Sequence, residues 1–440
     1  MKKITLSSII FLLLPILAAC GASVAADETQ AQERIVITAD IAAIDGEIVH
    51  IAAGIGASFA LLSTGELWSW GDALRVLPET APWVAEKVDI PGDVIYVATF
   101  GNERNLNSHY SNPHGFLHGD LHYVHAMAIT SDNELWGWGF NGHGQLGNGR
   151  QEINMRLTPT MVMSAISSVS VGDTITSAID NDGMLWTWGQ NFGSSMGVSV
   201  SLLEVTGHAQ SIMNNARQVS VASGHTLVIN DDGELWGWGN NGALGIGWTS
   251  TGIPHLMRCS RGTLIHSNGR VVRHPYPEKI MDNVVSIAAG FNFSLALTED
   301  GHLYAMGSNG DGRAGSGTLD GEPYPAWIPY PIRIMENVAY IAASLRHAAA
   351  ITNDGHLYTW GANAIGQLGN GTTESQYIPQ RIKSDVLMIA VSGGSSNTHM
   401  LAVTACGSLW GWGCNRLGQL GVDPAELVYS AVPILIRPGV

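Results

Sequence analysis

Short runs in which apolar and polar positions alternate with a period of two recur along nearly the whole chain. In Val49-His50-Ile51-Ala52-Ala53-Gly54 and Val284-Val285-Ser286-Ile287-Ala288-Ala289-Gly290 the run closes on glycine, the pattern of a strand ending in a tight bend. A second run follows, as in Phe293-Ser294-Leu295-Ala296-Leu297-Thr298. Next comes Asp182-Gly183, Asp232-Gly233, Asp300-Gly301 or Asp354-Gly355, dipeptides that tolerate the positive φ angles of a two-residue hairpin turn. Thr64-Gly65, Asp132-Asn133 and Cys406-Gly407 stand at the same place in other copies. The third run reads Leu-Trp-x-Trp-Gly, as in Leu235-Trp236-Gly237-Trp238-Gly239, with Leu303-Tyr304-Ala305-Met306-Gly307 and Leu357-Tyr358-Thr359-Trp360-Gly361 as variants. A glycine-rich loop such as Gly366-Gln367-Leu368-Gly369-Asn370-Gly371 then leads to a short fourth strand, visible in Ile332-Arg333-Ile334 and Pro379-Gln380-Arg381-Ile382.

The glycines that close the third run are Gly71, Gly139, Gly189, Gly239, Gly307, Gly361 and Gly413, at spacings of 50 to 68 residues. Four antiparallel strands at such a period describe one blade of a β-propeller, because a single sheet cannot bury both faces unless neighbours pack on it. The expected fold is therefore all-β, a seven-bladed propeller of four-stranded blades over residues 34–440. The order of these motifs resembles the repeats of the regulator-of-chromosome-condensation family over about residues 45–436. Its weakest copies are the first, where Asp72-Ala73-Leu74-Arg75 replaces the glycine-rich loop, and the third, with Gly193-Ser194-Ser195-Met196-Gly197. Ile35-Val36-Ile37-Thr38 and Pro433-Ile434-Leu435-Ile436 both read as outer strands of the last blade, joining the termini.

The amino terminus departs from this pattern. Lys2 and Lys3 precede an apolar run from Ile4 to Ala18, shorter than the roughly 18 to 20 residues that span a bilayer, and Leu17-Ala18-Ala19-Cys20 follows. Residues 1–19 read as a signal peptide. The Leu-Ala-Ala-Cys order resembles the bacterial lipobox, which makes Cys20 the lipidated residue and 20–33 a flexible tether. The expected location is outside the cytoplasm, on a bacterial cell membrane or outer membrane. Removal of residues 1–19, which hold two lysines and no acid, takes the formal charge from −16 to −18. Such acidity argues against nucleic acid as a partner. With Cys20 lipidated, three cysteines remain. Extended chain separates Cys406 from Cys414 by about 25 Å, beyond disulfide reach, which leaves open whether Cys259 pairs with either.

Histidines crowd one segment, and His114, His118 and His122 are spaced as metal ligands on a helix would be. Gly115 and Gly119 weaken such a helix, and no carboxylate or cysteine stands at ligand spacing, so the expectation is no metal. His125, His225, His347 and His399 instead share one place in the second strand, where the family's repeats carry a buried histidine. Eleven of the fourteen tryptophans lie in third strands, two apart on one sheet face, and read as packing between blades; Trp83, Trp248 and Trp327 lie elsewhere. No His-Glu-x-x-His, phosphate loop or Gly-x-Ser-x-Gly elbow is present. The sequence thus points to a non-enzymatic protein without cofactor.

Two insertions break the period. One covers 101–123, between the first and second strands of blade two, and carries Arg104, Tyr110 and Phe116; the other covers 248–276, between the third and fourth strands of blade four, and carries Trp248, Met257, Arg258 and Arg261. In an antiparallel blade both connections leave the same end, so both insertions rise from one face. These seven residues are the candidate contacts of a monomeric, surface-tethered interaction module whose partner is a protein or cell-envelope component. Nucleotide exchange on a small GTPase and chromatin binding, which the resemblance also implies, are disfavoured by export and charge. The alternatives are an inhibitor resembling the β-lactamase inhibitory propellers, or an envelope hydrolase or lyase.

Overall fold

The structure, a computed structural model, describes residues 44–74, 80–103, 122–197, 205–246, 264–265, 271–317, 325–394 and 397–439. Among them seven antiparallel sheets follow one another along the chain, each with its four main strands in sequence order. Blade one comprises Ile48–Gly54, Ala57–Leu62, Leu67–Trp70 and Glu86–Lys87; blade two comprises Val94–Glu103, His122–Thr130, Leu135–Asn141 and Glu152–Met163. Blade three spans residues 166–213, blade five 284–335 and blade six 338–383. Blade four runs from Ala216–Val221 to Val271–Met281, and Leu264–Ile265 adds a fifth strand on its outer edge. Blade seven comprises Val386–Val391, His399–Thr404, Leu409–Cys414 and Tyr429–Arg437. First strands of successive blades touch all the way round, blade seven against blade one included, so they line the axis of a seven-bladed β-propeller.

Two local expectations change. The second-to-third hairpins are three-residue loops rather than two-residue turns. In blade five Gly301 N–H donates to Thr298 O at 2.9 Å while Thr298 N–H donates to His302 O at 3.0 Å, and only Gly301 takes a positive φ, 79°. This is a type I turn completed by a left-handed residue, which explains why one glycine suffices and why Asn133, at φ 60°, can replace it. The fourth strands are also longer than their pattern suggests, Trp327–Met335 and Gln376–Lys383 among them. These outer strands are only partly buried, so alternation fades, and an edge tolerates the prolines that interrupt it.

Blade seven takes its outermost strand from the carboxyl terminus, as its sequence suggests; residues 35–38 lie outside the described residues. Ile44 is buried with Leu62, Leu409 and Ile436, and Arg437 Nη2 donates to Gly46 O at 2.7 Å, fastening the last blade to the first. Cys414 is the last residue of its strand rather than a flanking one; it is buried and donates to Asn397 Oδ1, whereas Cys406 sits exposed in a hairpin. Cys20 and Cys259 lie outside the described residues.

The repeated residues seal blade against blade. Trp188, Trp238, Trp360 and Trp412 are wholly buried, and each ring N–H donates to a loop carbonyl of the preceding blade: Gln145, Ser195, Arg313 and Gln367, at 2.8–3.0 Å. Where the pattern is complete, a histidine joins in. His125 Nε2 meets Thr176 Oγ1 at 2.9 Å, and Thr176 donates to the same Gln145 carbonyl at 2.8 Å. The expected buried, hydrogen-bonding role of His125, His225, His347 and His399 is thus observed. Burial pushes all four imidazoles down to about 3, so they are neutral at pH 7. Glycine ends the third strand because φ is 110° at Gly189 and a Cβ there would lie 2.3 Å from Thr174 O.

Candidate interaction face

Observed strand order places the first-to-second and third-to-fourth connections at one end of every blade. Both insertions therefore leave the same face of the disc, by backbone that the structure describes. In blade two the first hairpin is extended, pairing Gly101 with Val124, Asn102 with Tyr123 and Glu103 with His122. That ladder is longer than the first-to-second ladders of the other blades. In blade four the root of the insertion is a four-residue helix, Asn241–Leu244, capped by Asn240 Oδ1, which accepts from Gly242 N–H at 3.1 Å. Asn240 Nδ2 also donates to Asn292 Oδ1 at 2.7 Å, tying this root to blade five. Trp327 crosses over Gly242, where a Cβ would come within 2.2 Å of its ring. Trp327 therefore serves to hold the insertion root.

Of the residues singled out in the sequence, Cys20, Arg104, Tyr110, Phe116, Trp248, Met257, Arg258, Arg261, His114 and His118 lie outside the described residues. His122 opens the second strand of blade two, opposite Glu103. Among the described residues no group of three or more His, Cys, Asp or Glu is placed to hold a metal ion, and no helix is long and apolar enough to cross a membrane.

The face gains members that sequence reasoning missed. Phe192, just after the third strand of blade three, and Phe291, in the first bend of blade five, are 40% and 37% exposed, on the blades either side of blade four. The signal was available: Phe291 stands in a bend where Ile55 and Leu345, its counterparts in blades one and six, are buried. Beside it lies a charged cluster. Asp311 accepts from Arg346 Nε at 2.8 Å and Nη2 at 2.7 Å and also pairs with Arg313, whose Nη1 donates to Phe291 O at 3.2 Å. Burial opposes the charge on Asp311, but hydrogen bonds and the charges of the two arginines outweigh it and hold the carboxyl below its usual range. One carboxylate between two guanidinium groups leaves a net positive point on an acidic protein, with Arg346 43% exposed.

The profile of the RCC1-like domain matches residues 164–437, more than half of the chain, and profiles of the regulator of chromosome condensation (RCC1) repeat match residues 132–179 and 48–73. The chain belongs to the RCC1-like family. Within it, the ultraviolet-B receptor UVR8 of Arabidopsis thaliana is 34% identical over 152 residues, 33% of this chain and 34% of the receptor. The matched segment thus spans about a third of that relative. Human WBSCR16 shares the fold with a TM-score of 0.62 at 20% identity, covering 82% of this chain and 87% of that one. Yeast RCC1 (Prp20), solved bound to Kap60, gives a TM-score of 0.58 at 21% identity over 78% of each chain. The RCC1-like ring carries its two insertions, two exposed phenylalanines and a basic point on one face.

Proposed function

We propose that this RCC1-like protein is a non-enzymatic binding module, exported, held at a bacterial membrane by lipid on Cys20, and used to grip a protein or cell-envelope component through its insertion face. One observation carries the reading: the strand order sends both long insertions out of the same face, where Phe192, Phe291 and Arg346 are already presented. Exposed aromatic and arginine side chains on a rigid frame are the usual anchors of a protein interface. The yeast protein of this fold, RCC1 (Prp20), has been solved bound to another protein, Kap60. The net charge of −16 for the whole chain disfavours nucleic acid.

The test is crosslinking of the tethered protein on its native cell, comparing the full chain with one in which residues 104–121 are replaced by a short glycine-serine link, and with Trp248, Arg258 and Arg261 changed together to alanine. Loss of the crosslinked partner with unchanged thermal melting is expected; full retention in both variants overturns the face assignment. Separately, Cys20→Ser is expected to release the protein from membranes, and undiminished retention rejects the lipid anchor.

A further inference from the structure

The axis of the ring holds a feature unrelated to the insertions. Every first strand carries a β-bulge between its first and third residues, for example Val94/Tyr96, Ala216/Gln218 and Val338/Tyr340. A bulge leaves one residue unpaired and re-aims the next. Here the unpaired second residue is exposed at the mouth of the axis on the face opposite the insertions, as with Val49, Ile95, Val285 and Leu387. The third residues form one level of side chains around the axis.

That level is divided by character. Blades six, one and two contribute Tyr340, His50 and Tyr96, with Met388 of blade seven between the first two; blades three, four and five contribute Ser168, Gln218 and Ser286. Blades two and six lie three steps apart, so Tyr96 and Tyr340 approach across the axis. Burial raises the Tyr96 hydroxyl to about 12, and the neighbouring Tyr340 adds to the shift. Yet Tyr96 and Tyr340 remain 37% and 44% exposed. Groups enclosed by protein and still reached by water line a concavity. His50 packs its ring on Tyr96 at 4.7 Å and engages Val97 O at 2.9 Å, which fixes the aromatic side of the ring.

The hydrogen-bonding capacity at this level is largely unused. Ser170 and Ser220, two residues further along, accept from Val221 and Ala289 N–H and so satisfy the open edges of neighbouring first strands. Among the described residues no such bond engages the side chains of Ser168, Gln218 and Ser286 or the hydroxyls of Tyr96 and Tyr340. None of the third-position residues is Asp, Glu, Lys or Arg, although the chain has 58 of these. The fifth positions are all alanine or serine, so little side chain fills the space beneath the ring.

We propose that this ring is a binding site for a neutral saccharide, with the apolar face of a pyranose on Tyr96, Tyr340 and His50 and its hydroxyls on Ser168, Gln218 and Ser286. Convergent polar groups facing an aromatic wall are what such a ligand requires, and a level without Asp, Glu, Lys or Arg favours a neutral ligand over a phosphate or carboxylate, although Arg217 stands one residue away at the mouth.

The test is calorimetric titration of the mature chain with maltotriose and with N-acetylglucosamine, with glucuronate as the charged comparison. Binding of at least one neutral probe, weakened tenfold or more by Gln218→Ala and by Tyr340→Phe at unchanged melting temperature, is expected. The chain lacking residues 104–121 should bind equally well, which separates this site from the interaction face. Absence of heat from both neutral sugars, stronger binding of glucuronate than of either, or equal affinity in the two variants overturns the proposal.

Discussion

Blade one packs on blade seven and on blade two through apolar clusters, but only the seam with blade seven adds a polar cluster of tryptophan, hydroxyl and histidine, and the two seams are built from alternate residues of the same strand. In Ala57–Leu62, Ser58 faces blade seven: its hydroxyl meets His399 Nε2 at 2.7 Å and donates to Gln419 O at 2.8 Å, a carbonyl that also accepts from Trp70 Nε1 at 2.9 Å. Phe59 faces blade two, where it meets the edge of Trp138 at 6.0 Å within a cluster that includes Ala57, Leu74, Val124 and Ala126. Ala57 occupies the histidine position here and Ala126 the hydroxyl position. Among the described residues the ring N–H of Trp138 is buried with no partner. The cause is the departure noted in the first repeat, where Asp72-Ala73-Leu74 replaces the loop that elsewhere supplies the accepting carbonyl. The seam that no peptide link crosses thus has the tryptophan, hydroxyl and histidine bonds that repeat around the ring. The seam that the chain itself bridges lacks that set and keeps, beside its apolar contacts, the bond between His50 Nε2 and Val97 O. Directional bonds fix register where connectivity cannot, whereas hydrophobic contact holds surfaces together without choosing one register.

Acid acts on the closing seam through His399 and on the other through His50, whose pKa burial also lowers. His399 titrates near 6.5 in the unfolded chain but only at about 3 when folded, because burial disfavours its charge. The unfolded state therefore binds the extra proton between these values. Stability is fully present above pH 6.5 and falls as pH drops toward 3, by about 1.4 kcal/mol per pH unit for each such histidine. His125, His225 and His347 act in the same direction. Urea midpoints measured from pH 7 to pH 4.5 should fall steeply, and in His399→Leu the slope should flatten by about one proton. An unchanged slope would show that the closing seam does not open with acid.

Truncation should also tell the seams apart. Phe59→Ala removes a ring with no exposure from the apolar seam and is expected to cost about 3–5 kcal/mol in urea unfolding. Ser58→Ala, one residue away on the opposite seam, leaves His399 Nε2 unpaired and should cost about 1–3 kcal/mol. Equal costs would mean that the seams do not differ in kind.

How much of this could be read beforehand depends on what the chain repeats. Leu-Trp-x-Trp-Gly and the aligned histidines are repeated, so blade number, strand order and the shared face of the insertions were legible. Asn215, Asn283 and Asn337, which turn the chain from one blade to the next at a φ of 59°, are also regular but short enough to escape a period-two search. The ring of third-position residues escaped because a bulge shifts the alternation just where the side chains turn to the axis, so His50, Tyr96 and Tyr340 read as ordinary strand positions. Phe291 escaped for a different reason: one residue in a bend has no periodicity to betray it.

The smallest predicted effect tests the comparison most directly. Trp70→Phe and Trp138→Phe are the same chemical change at equivalent places on the two seams, each deleting one ring N–H with two ring carbons, so the packing loss is common to both and the difference between them reports the N–H. At the closing seam the change removes a bond to Gln419 O and leaves that carbonyl with Ser58 as its remaining side-chain donor, at a cost of about 1 kcal/mol beyond the packing loss. At the other seam it removes a buried N–H that has no acceptor among the described residues, so beyond the shared packing loss a desolvation penalty goes and no bond is lost, and the total cost should be smaller than at Trp70 by about 1–2 kcal/mol. Paired urea titrations at pH 7 would resolve the difference. A loss of stability in Trp138→Phe as large as in Trp70→Phe would mean that the indole of Trp138 is satisfied in solution and that both seams of blade one are polar.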